Sequence, residues 1–81
     1  VAKKAPQGLS FAEKKRLDDL PAMIARLEAE IGRLNALLAT PDLFAADPVK
    51  ARKATGMLAE RQAALVAAEE EWLALAGRAE A

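Results

Sequence analysis

The apolar positions in the first half of the chain follow a heptad repeat. These positions are Leu17, Leu20, Ile24, Leu27, Ile31, Leu34 and Leu38. Their alternating three- and four-residue spacing predicts a helix with a coiled-coil seam. The segment S-F-A-E begins at Ser10 and is typical of a capping box with Glu13, so the helix is predicted over residues 10–39. Pro21 cannot donate a helical hydrogen bond, which predicts a kink or a restart there.

The second half repeats the same pattern after an interruption. Its seam positions are Ala51, Ala54, Leu58, Arg61, Leu65, Ala68, Trp72 and Leu75. Asp47 suits an N-cap and Pro48 suits the first helical position, where a missing N–H is tolerated. A helix is therefore predicted over residues 48–76. Gly77 is expected to end it, leaving residues 77–81 as a frayed tail.

The interruption, T-P-D-L-F-A-A-D-P, is predicted to be a turn over residues 40–47. Pro41 stops the first helix. Leu43 and Phe44 are expected to form one tight turn that covers the end of the seam. The fold class predicted is therefore all-α, an antiparallel two-helix coiled-coil hairpin. Residues 1–9 precede it as a flexible basic linker, because Pro and Gly interrupt them and no periodicity runs through them.

Pairing the seam residues nearest the turn sets the register of the hairpin. Leu17 then meets Trp72, which is expected to fill the open end of the seam. Arg61 falls at a seam position and must extend its head to Glu28 or Glu30. The same register places the basic run 14–16 across from three consecutive glutamates, 69–71, although charge was not used to choose it.

Composition limits the chemistry of the chain. It has 81 residues with neither Cys nor His, which removes thiolate metal ligands and the commonest general base. Its acidic residues are scattered on predicted helix exteriors, so the segment is expected to be non-catalytic and without a cofactor of its own. No apolar run approaches the length of a membrane span. The chain begins at Val1 rather than Met and is expected to be part of a longer protein.

Lys and Arg number 12, equal to Asp and Glu, so a basic surface requires uneven placement of the charges. Two groups of basic residues meet that condition. The candidate nucleic-acid-binding residues are Lys3, Lys4, Lys14, Lys15 and Arg16 near the N-terminus, and Arg33, Lys50, Arg52 and Lys53 near the turn. Contacts from such groups to phosphates are independent of base sequence and sensitive to salt. Charge alone fits an ordinary solvated helix surface equally well.

Three segments together suggest a family. They are S-F-A-E-K-K-R-L-D-D-L-P-A-M-I-A-R-L-E-A-E-I, P-D-L-F-A-A-D-P and E-E-E-W-L-A-L. In this order they resemble the C-terminal domain of Uup-type ABC-F ATPases. The resemblance runs from about Leu9 to Leu75.

The resemblance implies an accessory domain of a cytoplasmic ATP-binding cassette protein. It implies that ATP and Mg belong to upstream domains, that the hairpin binds DNA, and that ribosomal RNA and the parent ATPase domains are further partners. No membrane contact and a monomeric state are expected. Arg61 in the seam, Gly56 within the second helix and the balanced charge depart from the family pattern.

Three alternatives stay open from the sequence. The hairpin could be a protein-interaction or spacer arm that docks on the parent ATPase or on the ribosome. It could be an RNA-contacting tail like that of valyl-tRNA synthetase, which has a similar turn. Self-association is the third alternative, through a stripe formed by Met23, Leu37 and Met57.

Overall fold

Two long helices, joined by a short one, form an antiparallel hairpin. The structure is a computed structural model that describes residues 9–80. Its helices are α1 (Phe11–Leu38), α2 (Leu43–Ala46) and α3 (Pro48–Glu80), and there is no strand in this range. The hairpin is a rod of 65 × 15 × 15 Å. The predicted all-α antiparallel hairpin is confirmed, and Lys3 and Lys4 lie outside the described residues.

The N-terminus of α1 has the predicted capping box. The Glu13 amide donates to the Ser10 hydroxyl at 3.1 Å, and the Ser10 amide donates to the Glu13 carboxylate at 3.0 Å. The predicted restart at Pro21 is not found, because α1 continues through this residue as one kinked helix. Leu20, beside the proline, is fully buried against α3, and this packing offsets the lost backbone hydrogen bond.

The connection between the long helices is more helical than predicted. The expected tight turn at Leu43 and Phe44 is a short helix, α2, that packs against α3. Asp42 precedes it with φ of 66°, in the left-handed region. Phe44 is 57% exposed, so the expectation that it covers the seam is wrong, whereas Leu43 is half-buried. One turn of helix has only one side that can face α3.

The helix α3 begins as predicted and ends later than predicted. The Lys50 amide donates to the Asp47 carboxylate at 3.0 Å, which confirms Asp47 as a cap. Gly77 does not end the helix, which continues to Glu80 with no glycine at positive φ in the described residues. Beyond Gly77, Arg78 forms an ion pair with Glu13 of α1, and this contact holds the last turn in place.

The core lies along the predicted seam. Its buried apolar residues are Leu20, Ala51, Ala54, Ala68 and Leu75. Leu20, Ala68 and Leu75 form one cluster near the open end, where both helices have their outer ends. Trp72 was expected within the seam, but it is 37% exposed at the edge, beside Pro21 and Ile24. Because tryptophan is large, it is rarely buried completely, and here part of the indole remains in solvent.

Candidate nucleic-acid-binding surface

The basic residues near the start of α1 are largely neutralised by neighbouring acids. Arg16 donates two hydrogen bonds to Glu71 of α3, at 2.7 and 2.8 Å. This guanidinium lowers the pKa of the Glu71 carboxyl. Lys15 pairs with Asp19 one turn along its own helix, at 2.9 Å. Lys14 is exposed and has no carboxylate within 4.0 Å among residues 9–80. The predicted pairing of this basic run with the glutamate run is thus confirmed for Arg16.

The basic residues near the turn form no ion pairs within residues 9–80, unlike Lys15 and Arg16. We define the turn-end cluster as Arg33 on α1 with Lys50, Arg52 and Lys53 on α3. All four are exposed, and none has a carboxylate oxygen within 4.0 Å in the described part of the chain. The nearby acid Asp47 is occupied as the cap of α3. The cluster therefore carries four cations that form no ion pair in the described residues, with Asp42 and Asp47 as the acids at the same end of the hairpin.

The position of the turn-end cluster within α3 adds to its positive potential. Lys50 and Arg52 follow directly on the N-terminus of this helix, and the first turn of α3 contains no acidic residue. A helix N-terminus carries a partial positive charge, so cations there oppose the helix dipole. The first turn adds few amide donors, because Pro48 has no N–H and the amides of Lys50 and Ala51 already donate to Asp47, so the attraction of anions comes from the cations themselves. These residues favour anion binding at a cost in helix stability.

Arg33 belongs to the same region of the surface. It lines a shallow groove between the long helices together with Leu37 and Met57. Lys53 precedes Met57 by one turn on the same face of α3. The two long helices thus contribute cations to one area at the turn end.

The structure places the two predicted basic groups at opposite ends of the hairpin. Residues 14–16 lie at the open end, where Arg16 meets Glu71, and the turn-end cluster lies at the other end of a 65 Å rod. The sequence analysis missed Arg26, which is exposed on α1 and has no carboxylate within 4.0 Å among the described residues. It is isolated in the sequence, so no clustering signal could have indicated it.

Arg61 is excluded from the anion-binding surface. Its guanidinium donates to Glu30 at 2.8 Å, as the seam position predicted, and it also lies 3.7 Å from Glu60. Within residues 9–80, no group of three or more potential ligands could hold a metal ion. No helix in this part of the chain is both long enough and apolar enough to cross a membrane.

The fold and the charge distribution define a coiled-coil accessory module with a basic turn end. The family model for the ABC transporter C-terminal domain matches residues 8–76, and the chain belongs to this family. The domain is an accessory, non-catalytic region of ABC proteins. The resemblance to a C-terminal domain of ABC ATPases is thereby confirmed. Comparisons with curated proteins and with solved structures give no match.

Proposed function

We propose that the hairpin binds DNA through the turn-end cluster, as the accessory domain of a cytoplasmic ABC-F ATPase of the Uup type. The observation that carries the proposal is the charge of Arg33, Lys50, Arg52 and Lys53, which form no ion pair in the described residues and are all exposed at one end of the rod. The family match supports the accessory role. The resemblance of the sequence to the Uup-type tail supports the assignment within ABC proteins.

The contacts are made to phosphates. Lys and Arg side chains that lack acidic partners can neutralise phosphates and release condensed counterions, which supplies affinity without base recognition. Arg16 contributes less than the sequence implied, since Glu71 already holds its guanidinium.

ATP and Mg act in this proposal only outside the hairpin. The cassette domains of the parent protein hold the nucleotide, and the hairpin supplies a charged arm. Its partners are DNA and the parent ATPase domains, with ribosomal RNA as the other nucleic acid that the same phosphate contacts would accept.

The proposal is tested by fluorescence anisotropy with a labelled duplex DNA over a series of salt concentrations. The plot of log affinity against log salt is expected to have a negative slope. Replacing Lys50, Arg52 and Lys53 together with Gln should weaken binding and reduce that slope by about 3, roughly one for each lost phosphate contact.

A matched control removes the same charge from another surface. Replacing Lys14, Lys15 and Arg26 with Gln takes away an equal net charge but leaves the turn end intact. This variant should change the salt slope by less than about 1. Equal losses in both triple variants would overturn the assignment to the turn end. No binding by the unaltered chain at low salt would overturn nucleic-acid binding itself.

A spacer or protein-docking arm is the second candidate, and the rod shape favours it. A hairpin 65 Å long and 15 Å wide can carry a contact far from its point of attachment.

Replacing the duplex DNA with duplex RNA in the same assay tests the RNA-contacting alternative. Comparing ATP hydrolysis by the parent protein with and without residues 10–80 tests docking on the ATPase, which predicts a change in rate without nucleic acid.

A further inference from the structure

An apolar groove lies on one side of the hairpin near its open end. We call it the tryptophan groove, and its lining residues are Pro21, Ile24, Glu69, Trp72 and Leu73. Leu73 is 64% exposed, although it is among the most apolar residues of the chain. Val66, also exposed, lies two turns earlier on the same face of α3 and extends the apolar strip. Ile24 and Trp72 of the seam form the floor of this groove, whereas the exposed part of Leu73 has no partner in the described residues.

The charges around the tryptophan groove are acidic and uncompensated. Glu69 is the charged residue of its wall, and Asp18 lies one turn before Pro21 on α1, in a neighbouring groove that it lines together with Lys14. Glu28 lies two turns beyond Pro21. None of these three carboxylates has a cation within 4.0 Å among residues 9–80. Lys14 is present one turn farther toward the open end, beyond Asp18.

The contrast with the other side of the hairpin is clear. There the interhelical carboxylates are paired: Glu71 with Arg16, Glu30 with Arg61, and Glu13 with Arg78. One side of the hairpin is therefore closed by its own ion pairs. The other presents apolar side chains flanked by acids that have no partner within the described residues.

This combination favours one class of occupant. A second copy would present the same groove, whose wall contains Glu69 and no cation, so it offers that carboxylate no ion pair. Nucleic acid and anionic lipid are repelled by the same acids. The turn of the same chain lies at the opposite end of a 65 Å rod.

We propose that the tryptophan groove docks an amphipathic helix of a protein partner, with aliphatic side chains on one face and Lys or Arg along its edges. Such a helix adds a third member to the two-helix coil, a common mode of recognition for grooves between helices. Its aliphatic residues would cover Trp72 and Leu73, and its cations would meet Glu69 and Asp18. Docking of this kind does not depend on nucleic-acid binding at the turn end.

Trp72 supplies the measurement, because it is the only tryptophan in the sequence. The 81-residue chain is titrated with a short synthetic helical peptide that has Leu at heptad positions a and d and Lys at e and g. A saturable shift of the tryptophan emission to shorter wavelength is expected. A second peptide with Glu in place of Lys should bind at least about tenfold more weakly, since like charges face each other.

Single substitutions test whether the emission shift arises from binding at the tryptophan groove. Leu73→Glu should abolish the saturable shift. Glu69→Lys should reverse the preference, so that the Glu peptide binds more tightly than the Lys peptide. Val49→Glu is the matched control, because Val49 is a similarly exposed apolar residue of α3 at the turn end. It should leave both titrations unchanged, and circular dichroism checks that each variant keeps its helix content.

Equal binding of the two peptides, or no emission shift with either, would overturn the proposal. A Leu73-dependent dimer of the 81-residue chain in sedimentation, without peptide binding, would assign the groove to a second copy instead. Loss of DNA binding in Leu73→Glu, with no effect of the peptides, would assign it to nucleic acid.

Discussion

Arg78, in the last turn of α3, donates to both carboxylate oxygens of Glu13, in the first turn of α1. The same carboxylate accepts the Ser10 amide. The hydrogen bond from Arg78, followed by that from Ser10, lowers the pKa of Glu13 from 4.5 to about 2. One side chain thus caps α1 and fastens the end of α3 to it.

This arrangement predicts a specific loss of stability in acid. Because the folded-state pKa of Glu13 is depressed, its contribution is present above the unfolded value of about 4.5 and is lost as pH falls towards about 2. Glu13→Gln should therefore be less stable than the unaltered chain at neutral pH, and the difference should shrink across this window. Thermal unfolding followed by circular dichroism at several pH values measures it.

Glu28→Gln is the control for the acid experiment. Glu28 is exposed and has no cation within 4.0 Å among the described residues, so its variant should keep the pH dependence of the unaltered chain. If Glu13→Gln kept that dependence as well, the Arg78 contact would not form in solution.

Two substitutions of Arg61 should distinguish the contribution of its apolar stem to stability from the contribution of its charge. Its stem lies along the seam while its head reaches Glu30. Arg61→Leu keeps the apolar contact but leaves Glu30 without its partner, and because that pair is partly exposed the free energy of unfolding should change by less than about 0.5 kcal/mol. Arg61→Ala removes the stem too and should lower it by about 1 kcal/mol. Urea unfolding measures the free energy of unfolding of both variants. A loss of stability in both would contradict the position of the Arg61 stem in the seam.

Leu20 should be the residue whose truncation costs most. It is the largest fully buried side chain among residues 9–80, in a core made mostly of alanine. Leu20→Ala should cost about 2–5 kcal/mol, because a two-helix core cannot collapse around the cavity. Leu73→Ala, which shortens an exposed leucine, is the matched control and should cost far less. If Leu20→Ala and Leu73→Ala had similar midpoints of urea unfolding, Leu20 would not be a central residue of the core.

Two glycines inside the helices offer a gain in stability. A Cβ atom at Gly32 or Gly56 would meet no atom within 4 Å, and neither residue has a positive φ. Alanine at each position should add about 1 kcal/mol, because it reduces the backbone freedom of the unfolded chain. The two gains should be additive, since the residues lie on different helices and share no contact. A decrease in melting temperature for either variant would indicate an unrecognised close approach.

The regular parts of the fold could be predicted from local sequence. The heptads gave the two long helices, and the signals at Ser10 and Asp47 gave their first residues, because caps depend on neighbours within one turn. The register also followed, since Arg16 does meet Glu71 and Arg61 does meet Glu30. These are consequences of periodicity, which an antiparallel pair converts directly into contacts.

The differences arise where tertiary contacts override local preference. Gly77 is a typical helix terminator, yet Arg78 beyond it is held by a residue 65 positions away. Trp72 has the spacing of a buried residue, but part of its large indole remains in solvent. Which cations stay free followed largely from the predicted register, because the basic run 14–16 was expected to face the glutamates 69–71; the pairing of Lys15 with Asp19 on its own helix was not predicted. Arg16 and Lys50 both belong to short basic runs of the sequence. Arg16 pairs with Glu71, however, whereas Lys50 has no carboxylate within 4.0 Å among residues 9–80.

The antiparallel course of the rod has a mechanical consequence. Both outer helix ends lie together, and the turn-end cluster lies at the far tip of a 65 Å span. If the open end is the point of support, the hairpin is a lever: a small pivot at that end sweeps the charged tip through a much wider arc. Small rearrangements at the base of such an arm would then reposition its cations without any change within the helices themselves.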